Sequence, residues 1–191
     1  MIVTTPRLIL REFVEEDCQA VLEYQSDPRY LRYYTWTTRT ELDVRSFVQQ
    51  FLDWQREEPR LRHQLAVVLA SCNRLIGNCG IRLAQEGARE AELGYEISPA
   101  YWSHGYATEA AEAMLRFAFE DLGLHRVWGH CVADNLASWR VMEKLGMRCE
   151  GRLRENRWFK GRWWDTMVCA VLEDEWRQSA AGVPHRLEDN P

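Results

Sequence analysis

Between residues 91 and 134 the sequence changes its period twice, and that change limits the folds open to the chain. AELGYEIS (91–98) alternates, with Leu93, Tyr95 and Ile97 on one side, until Pro99 stops it; this pattern predicts a strand. From Thr108 the residues Ala110, Ala111, Met114, Leu115 and Ala118 recur at helical spacing, and Gly123 offers a C-terminal stop. HRVWGHCVAD (125–134) is again strand-like. A strand, a helix and a strand in that order allow two parallel strands joined by a right-handed crossover. The helix is entered through YWSHGYATEA (101–110), where Gly105 and the small Ala107 stand just ahead of its first turn.

That junction has two readings. The first amides of a helix are unpaired and carry partial positive charge, so they bind anions, and a glycine there admits both a positive φ and a close ligand. The plainer reading is a loop glycine that only starts a helix. The segment is neither a P-loop nor a GxGxxG fingerprint, since it has one glycine and no GK[ST].

Around this unit, TPRLILREF (5–13) reads as a first strand. Glu15, Glu16 and Asp17 open a short helix that Ser26-Asp27-Pro28 ends. Val44, Phe47, Val48, Phe51 and Leu52 make one apolar stripe, so 39–57 is a second helix, with Thr38 and Glu41 at capping-box spacing. Strands follow at 63–70 and 75–83, a helix at 135–146, two long arms around Lys160-Gly161 as a hairpin, and a last helical turn in EDEWRQS. The order β-α-α-β-β-β-α-β-α-β-β implies an α/β (α+β) fold: a mixed, largely antiparallel central sheet with flanking helices. No repeat or linker interrupts it, so 1–178 is expected to be one domain and 179–191 a loose tail.

Basic residues number 24 against 29 acidic, a net charge of −5, which argues against nonspecific binding to nucleic acid. No apolar run approaches the ~18–20 residues of a membrane span, and MIVTTPRLILREF does not read as a signal peptide, so a cytoplasmic protein without a membrane partner is expected. The six cysteines form no CxxC pair and read as buried reduced thiols. His125 and His130, five apart on a strand, fall on opposite faces. No metal is expected.

WSHGYATEA after LGYEIS, followed by DNLASWRVMEKLGM, resembles the GNAT superfamily of acetyl-CoA-dependent N-acetyltransferases. The start, TPRLILREFVEED, and the end, GRWWDTMVCAVLEDEW, resemble its branch of ribosomal-protein N-terminal acetyltransferases, so the likeness spans roughly 3–176. The general family motif has Gln or Arg where Trp102 stands; tryptophan is common there in this branch. The resemblance implies a parallel strand pair splayed apart to admit acetyl-CoA as co-substrate. It places the diphosphate on the amides of His104, Gly105, Tyr106, Ala107 and Thr108 beside Trp102, and the pantetheine arm along the backbone of Tyr95, Glu96, Ile97 and Ser98. His104 is either an added donor or a solvated loop histidine. Asn135 and Ser138 are implied next to the coenzyme, although Asn135 is also a good helix N-cap. Ser138 holds the position of the family's acid and would hydrogen-bond the leaving sulfur. Glu92 is the first candidate base for the amine and Glu96 the second; a solvent-facing acid explains Glu92 as well. Tyr34, Trp36, Trp158 and Trp163 would wall the acceptor groove, though core packing or a homodimer face explains them equally. The reaction implied is direct attack on the thioester by a primary amine, either a protein N-terminus or a small molecule. The alternatives are a non-catalytic acyl-CoA-binding module and another nucleotide-phosphate binder.

Overall fold

The computed structural model describes residues 1–180; the tail expected from residue 179 lies outside them beyond that point. The strands are β1 (Ile2–Thr4), β2 (Leu8–Arg11), β3 (Arg62–Leu69), β4 (Arg74–Leu83), β5 (Glu90–Ile97), β6 (Arg126–Val132), β7 (Arg148–Phe159) and β8 (Arg162–Leu172). The helices are α1 (Cys18–Gln25), α2 (Pro28–Leu31), α3 (Glu41–Trp54), α4 (Tyr106–Arg116), α5 (Leu136–Lys144) and α6 (Glu173–Ala180). The strands form one sheet in the order β1-β2-β3-β4-β5-β6-β8-β7. Every neighbouring pair is antiparallel except β5 and β6. This is the mixed, largely antiparallel sheet that the element order implies.

The single strand expected at 5–13 is a hairpin instead. Pro6 has no amide hydrogen to give a ladder, and Thr5 closes a turn around it: its N–H donates to the Leu8 carbonyl at 2.9 Å and its Oγ1 accepts from the Leu8 N–H at 3.0 Å. α2 is a helical turn not anticipated from the sequence, started by Asp27 accepting from the Arg29 N–H with Pro28 in the first turn. The cap of α3 is also displaced from its expected place. Thr40, not Thr38, accepts from the Asp43 N–H, and Asp43 accepts from the Thr40 N–H at 2.8 Å. Asp fills the position that Glu fills in the usual box, and the helix starts two residues later than its apolar stripe suggests.

The sheet has a core on each face. On one, α4 packs over β4 and β5, and Leu65, Ile76, Ile81, Leu93, Met114, Leu115 and Val127 are fully or almost fully buried. On the other, α1 and α3 cover β3 and β4 through Phe13, Val21, Val44, Val48 and Phe51. Lys160 and Gly161 both adopt positive φ (50° and 73°), the two-residue turn that a twisted hairpin prefers.

The cap gives a direct test. Thr40→Ala is expected to lower unfolding stability by about 1 kcal/mol, while exposed Thr38→Ala changes it by less than about 0.5 kcal/mol, both read from urea denaturation midpoints.

Candidate active site

Pairing between β5 and β6 lasts only three residues, Glu90 to Glu92 against Arg126 to Trp128. Beyond that point β5 stays bonded to β4 as far as Ile97, and β6 stays bonded to β8 as far as Val132. The two halves of the sheet therefore part, and the facing edges keep backbone groups with no strand partner. A cleft of about 1340 Å³ occupies the gap. Its walls include Leu93 to Ile97, Gly129 to Val132, the start of α4 and one face of α5.

At one mouth stands the glycine junction. Gly105 has φ +81°, a left-handed conformation that costs other residues strain, and no side chain caps α4. The first-turn amides of an eleven-residue helix therefore open on the cleft, where Gly105, Tyr106, Ala107 and Thr108 all line the wall. Arg7 braces the turn from outside: it donates to the His104 carbonyl at 3.0 Å and to Glu109 at 2.6 Å, with its guanidinium 4.6 Å from the Tyr106 ring centre.

Inside the gap, Asn135 caps α5 by accepting from the Ser138 N–H at 3.2 Å. Ser138 then faces β5. The Tyr95 hydroxyl donates to the Ser138 carbonyl at 2.9 Å and lies 3.0 Å from its Oγ. Burial pushes the Tyr95 phenol up, which keeps it a proton donor. Cys131 of β6 hydrogen-bonds Ser138 as well, and burial raises its thiol to about 11. The sequence places Tyr95 at the coenzyme only through its backbone; its hydroxyl, which meets Ser138, is the group sequence reasoning missed.

On the opposite face of β5 the two expected bases have different fates. Glu96 is saturated. Its Oε1 accepts from Tyr24 (2.6 Å), Gln25 (3.1 Å) and Asn78 (2.5 Å), and its Oε2 from Tyr30 (2.5 Å) and Tyr34 (3.2 Å). Five donors engage the lone pairs of one carboxylate, so Glu96 ties α1 and α2 to the sheet. Glu92 is held between Arg82 (3.3 Å) and the Nδ1 of His130 (3.2 Å). The His130 hydrogen bond, opposed by desolvation and assisted by Arg82, takes its pKa to about 2, which argues against Glu92 itself taking a proton near neutrality. Arg82 also donates to Gln64 at 3.0 Å, and Gln64 to Asn78 at 2.7 Å, so one polar chain runs from His130 to Glu96. His130, which the sequence offered only as an unsuitable metal ligand, lines the cleft at its vertex.

Of the remaining expected residues, Tyr34 and Trp36 line the cleft as a stacked pair 4.8 Å apart, with Arg39 over the Trp36 ring. Trp102 and Ile97 line it too, but the Trp102 indole N–H donates to the Ile97 carbonyl at 2.7 Å, so those two groups are already spent. Ser98 lies off the cleft walls; its N–H donates to the Ile76 carbonyl at 2.7 Å, because a bulge in β4 presents that carbonyl. His104 also lies off the walls, stacked on Tyr106 with Nδ1 2.7 Å from the Trp102 carbonyl. Trp158 and Trp163 do not reach the groove. They form an exposed edge-to-face pair 5.3 Å apart on the hairpin, whose inward residue is the buried Trp164 packed on Phe159. Alternation along β7 and β8 sends the two tryptophans outward. Among the described residues no group of three or more His, Cys, Asp or Glu could hold a metal ion, and no helix is long and apolar enough to cross a membrane.

A mixed sheet parted at its one parallel pair, with an uncapped helix start at the mouth, is the frame of the candidate site. Residues 7–148 match the family described as acetyltransferase (GNAT) domain, and the chain belongs to that family. It is 37% identical over 176 residues to the uncharacterized N-acetyltransferase YnaD of Bacillus subtilis, covering 92% of this chain and 99% of that protein. The crystal structure of a GNAT-family acetyltransferase from Bacillus anthracis superposes with a TM-score of 0.80 at 34% identity, covering 91% and 99% of the two chains. Spermidine N-acetyltransferase from Vibrio cholerae, solved with CoA and spermine, shares the fold at 20% identity with a TM-score of 0.76, covering 91% and 99%.

The contrast between the carboxylates is testable. Glu96→Gln places an amide NH2 among donors and is expected to cost about 3 kcal/mol of stability in denaturant titration. Glu92→Gln acts through pH instead. Because the folded pKa of Glu92 is depressed from 4.5 to about 2, its contribution is present above pH 4.5 and is lost as pH falls towards 2. The stability difference between wild type and Glu92→Gln should follow that window in acid unfolding curves.

Proposed function

We propose that the protein transfers an acetyl group from acetyl-CoA to a primary amine by direct attack in a ternary complex. The observation that carries this reading is the continuous cleft through the sheet: an anion-binding helix start opens on it from one side and a wall of Tyr34, Trp36 and acidic groups from the other. Two substrates entering from opposite faces would meet beside Ser138 and Tyr95. The residues fit the coenzyme. The amides of Gly105 to Thr108 suit a diphosphate, the unpartnered edge of β5 from Leu93 onward suits the amides of pantetheine, and Ser138 with Tyr95 suits the sulfur. When bound, acetyl-CoA would supply the activated acyl group. Cys131 is the thiol in the cleft, and a thiol raised to about 11 is a poor nucleophile near neutrality, which favours direct attack over an acyl-cysteine.

The amine must be neutral to attack, and the geometry favours His130 as the group that removes its proton. With Nδ1–H donated to Glu92, the other ring nitrogen, Nε2, is left as an acceptor at the vertex of the gap. Glu92 then positions the imidazole, as Arg82 and Gln64 position Glu92. Resemblance to the ribosomal-protein branch supports a protein N-terminus as acceptor; the spermine in the Vibrio cholerae complex supports a small polyamine.

Acetyl-CoA is expected to bind in calorimetry, and free CoA to be released when N-terminal peptides, aminoglycosides or polyamines are added singly. Binding with no release from any acceptor would make the protein a coenzyme-holding module. With the acceptor that reacts, His130→Ala should lose about 10²-fold or more in kcat/KM and regain part of it with added imidazole. Gly105→Val should weaken acetyl-CoA binding while leaving the fold in place, since a β-branched residue resists φ +81°.

A further inference from the structure

The two outermost strands carry a pair of cysteines outside the cleft. The β7–β8 register sets Cys149 directly opposite Cys169. Opposed residues of an antiparallel pair have Cα atoms roughly 4.5 or 5.5 Å apart and send their side chains to the same face. Either spacing lies within the roughly 4.4–6.8 Å that a disulfide bridges. The thiols are near enough to hydrogen-bond each other. Cys149 is exposed, with its Sγ 3.8 Å from the Gly151 carbonyl, while Cys169 is only 3% exposed. The ladder slips between Cys149 and Gly151, leaving Glu150 as an extra residue, and β7 is the outermost strand of the sheet among the described residues. A bulged edge strand can shift its backbone a little without breaking a second ladder.

We propose that Cys149 and Cys169 form a peroxide-reactive dithiol, a modification site at the sheet edge that closes to an intramolecular disulfide. The exposed sulfur of Cys149, as thiolate, attacks hydrogen peroxide; an S–O bond forms, the O–O bond breaks and hydroxide leaves. The Cys169 sulfur then attacks the sulfenic sulfur; the S–S bond forms, the Cys169 proton is lost and water leaves. The two thiols lose two electrons in all, and the peroxide takes them. Burial raises the Cys169 thiol to about 12, so peroxide reacts first at exposed Cys149, and Cys169 attacks because the register holds the sulfenic sulfur directly opposite it. The other exposed cysteine, Cys72, stands in the β3–β4 turn with no cysteine opposite it, so it serves as an internal control.

The reduced full chain, with its six thiols, is treated with equimolar hydrogen peroxide and quenched with a maleimide. The expected result is loss of two thiols, a monomer on a non-reducing gel, a mass decrease of ~2 Da before labelling, and a tryptic pair joining 149–152 to 163–177. Exposed Cys149→Ser should retain its remaining thiols under the same dose, and dithiothreitol should restore both in wild type. Oxidation of Cys149 to sulfinic acid with Cys169 still alkylated would overturn the proposal. So would cross-linking through Cys72, or retention of all six thiols. None of these readouts depends on acetyl transfer.

Discussion

The structure depends on the early end of one strand pairing. β5 and β6 hold together for three residues and then each keeps only its outer neighbour. A buried backbone group without a partner is costly, so a parted sheet must be held open by what lies on its two faces. On one face α5 walls the gap, with Met142 and, past the helix end, Met147 near Gly129, and with the Tyr95–Ser138 contact joining it to β5. On the other, Glu96 gathers side chains from α1, from α2 and from the segment after it. The edges that remain open are those on which a ligand carrying its own amides can pair.

Two carboxylates on one face of β5 show how environment decides chemistry. Glu96 and Glu92 are four residues apart and point the same way, yet one is surrounded by neutral donors and the other by Arg82 and His130. The first becomes a structural hub because its lone pairs are filled. The second is held ionised between an arginine and the imidazole it touches.

Much of the site was legible in the sequence because its signals are local. The strand at 91–98, the helix after Gly105 and the cap at Asn135 rest on period, on a glycine conformation and on a side chain bonding an amide three residues on. The residues that were misplaced fail for long-range reasons. Trp158 and Trp163 sit in the right hairpin but on its outward side, which depends on the register of β7 against β8. Ser98 spends its amide on a carbonyl that a bulge in another strand presents. His130 carries no sequence signal of its own, since its meaning comes from Glu92 across the β5–β6 vertex, 38 positions earlier in the chain.

The sequence by itself determined the order of elements from β3 to β8 and the glycine-led helix start, and it allowed the parallel crossover, because periodicity and backbone conformation are properties of neighbouring residues. Only the tertiary structure decided which carboxylate is saturated, which imidazole faces the cleft and which cysteines stand opposite one another. Those are pairings between distant segments, fixed by strand register and burial, and hydrogen-bond capacity and charge are assigned only when the segments meet.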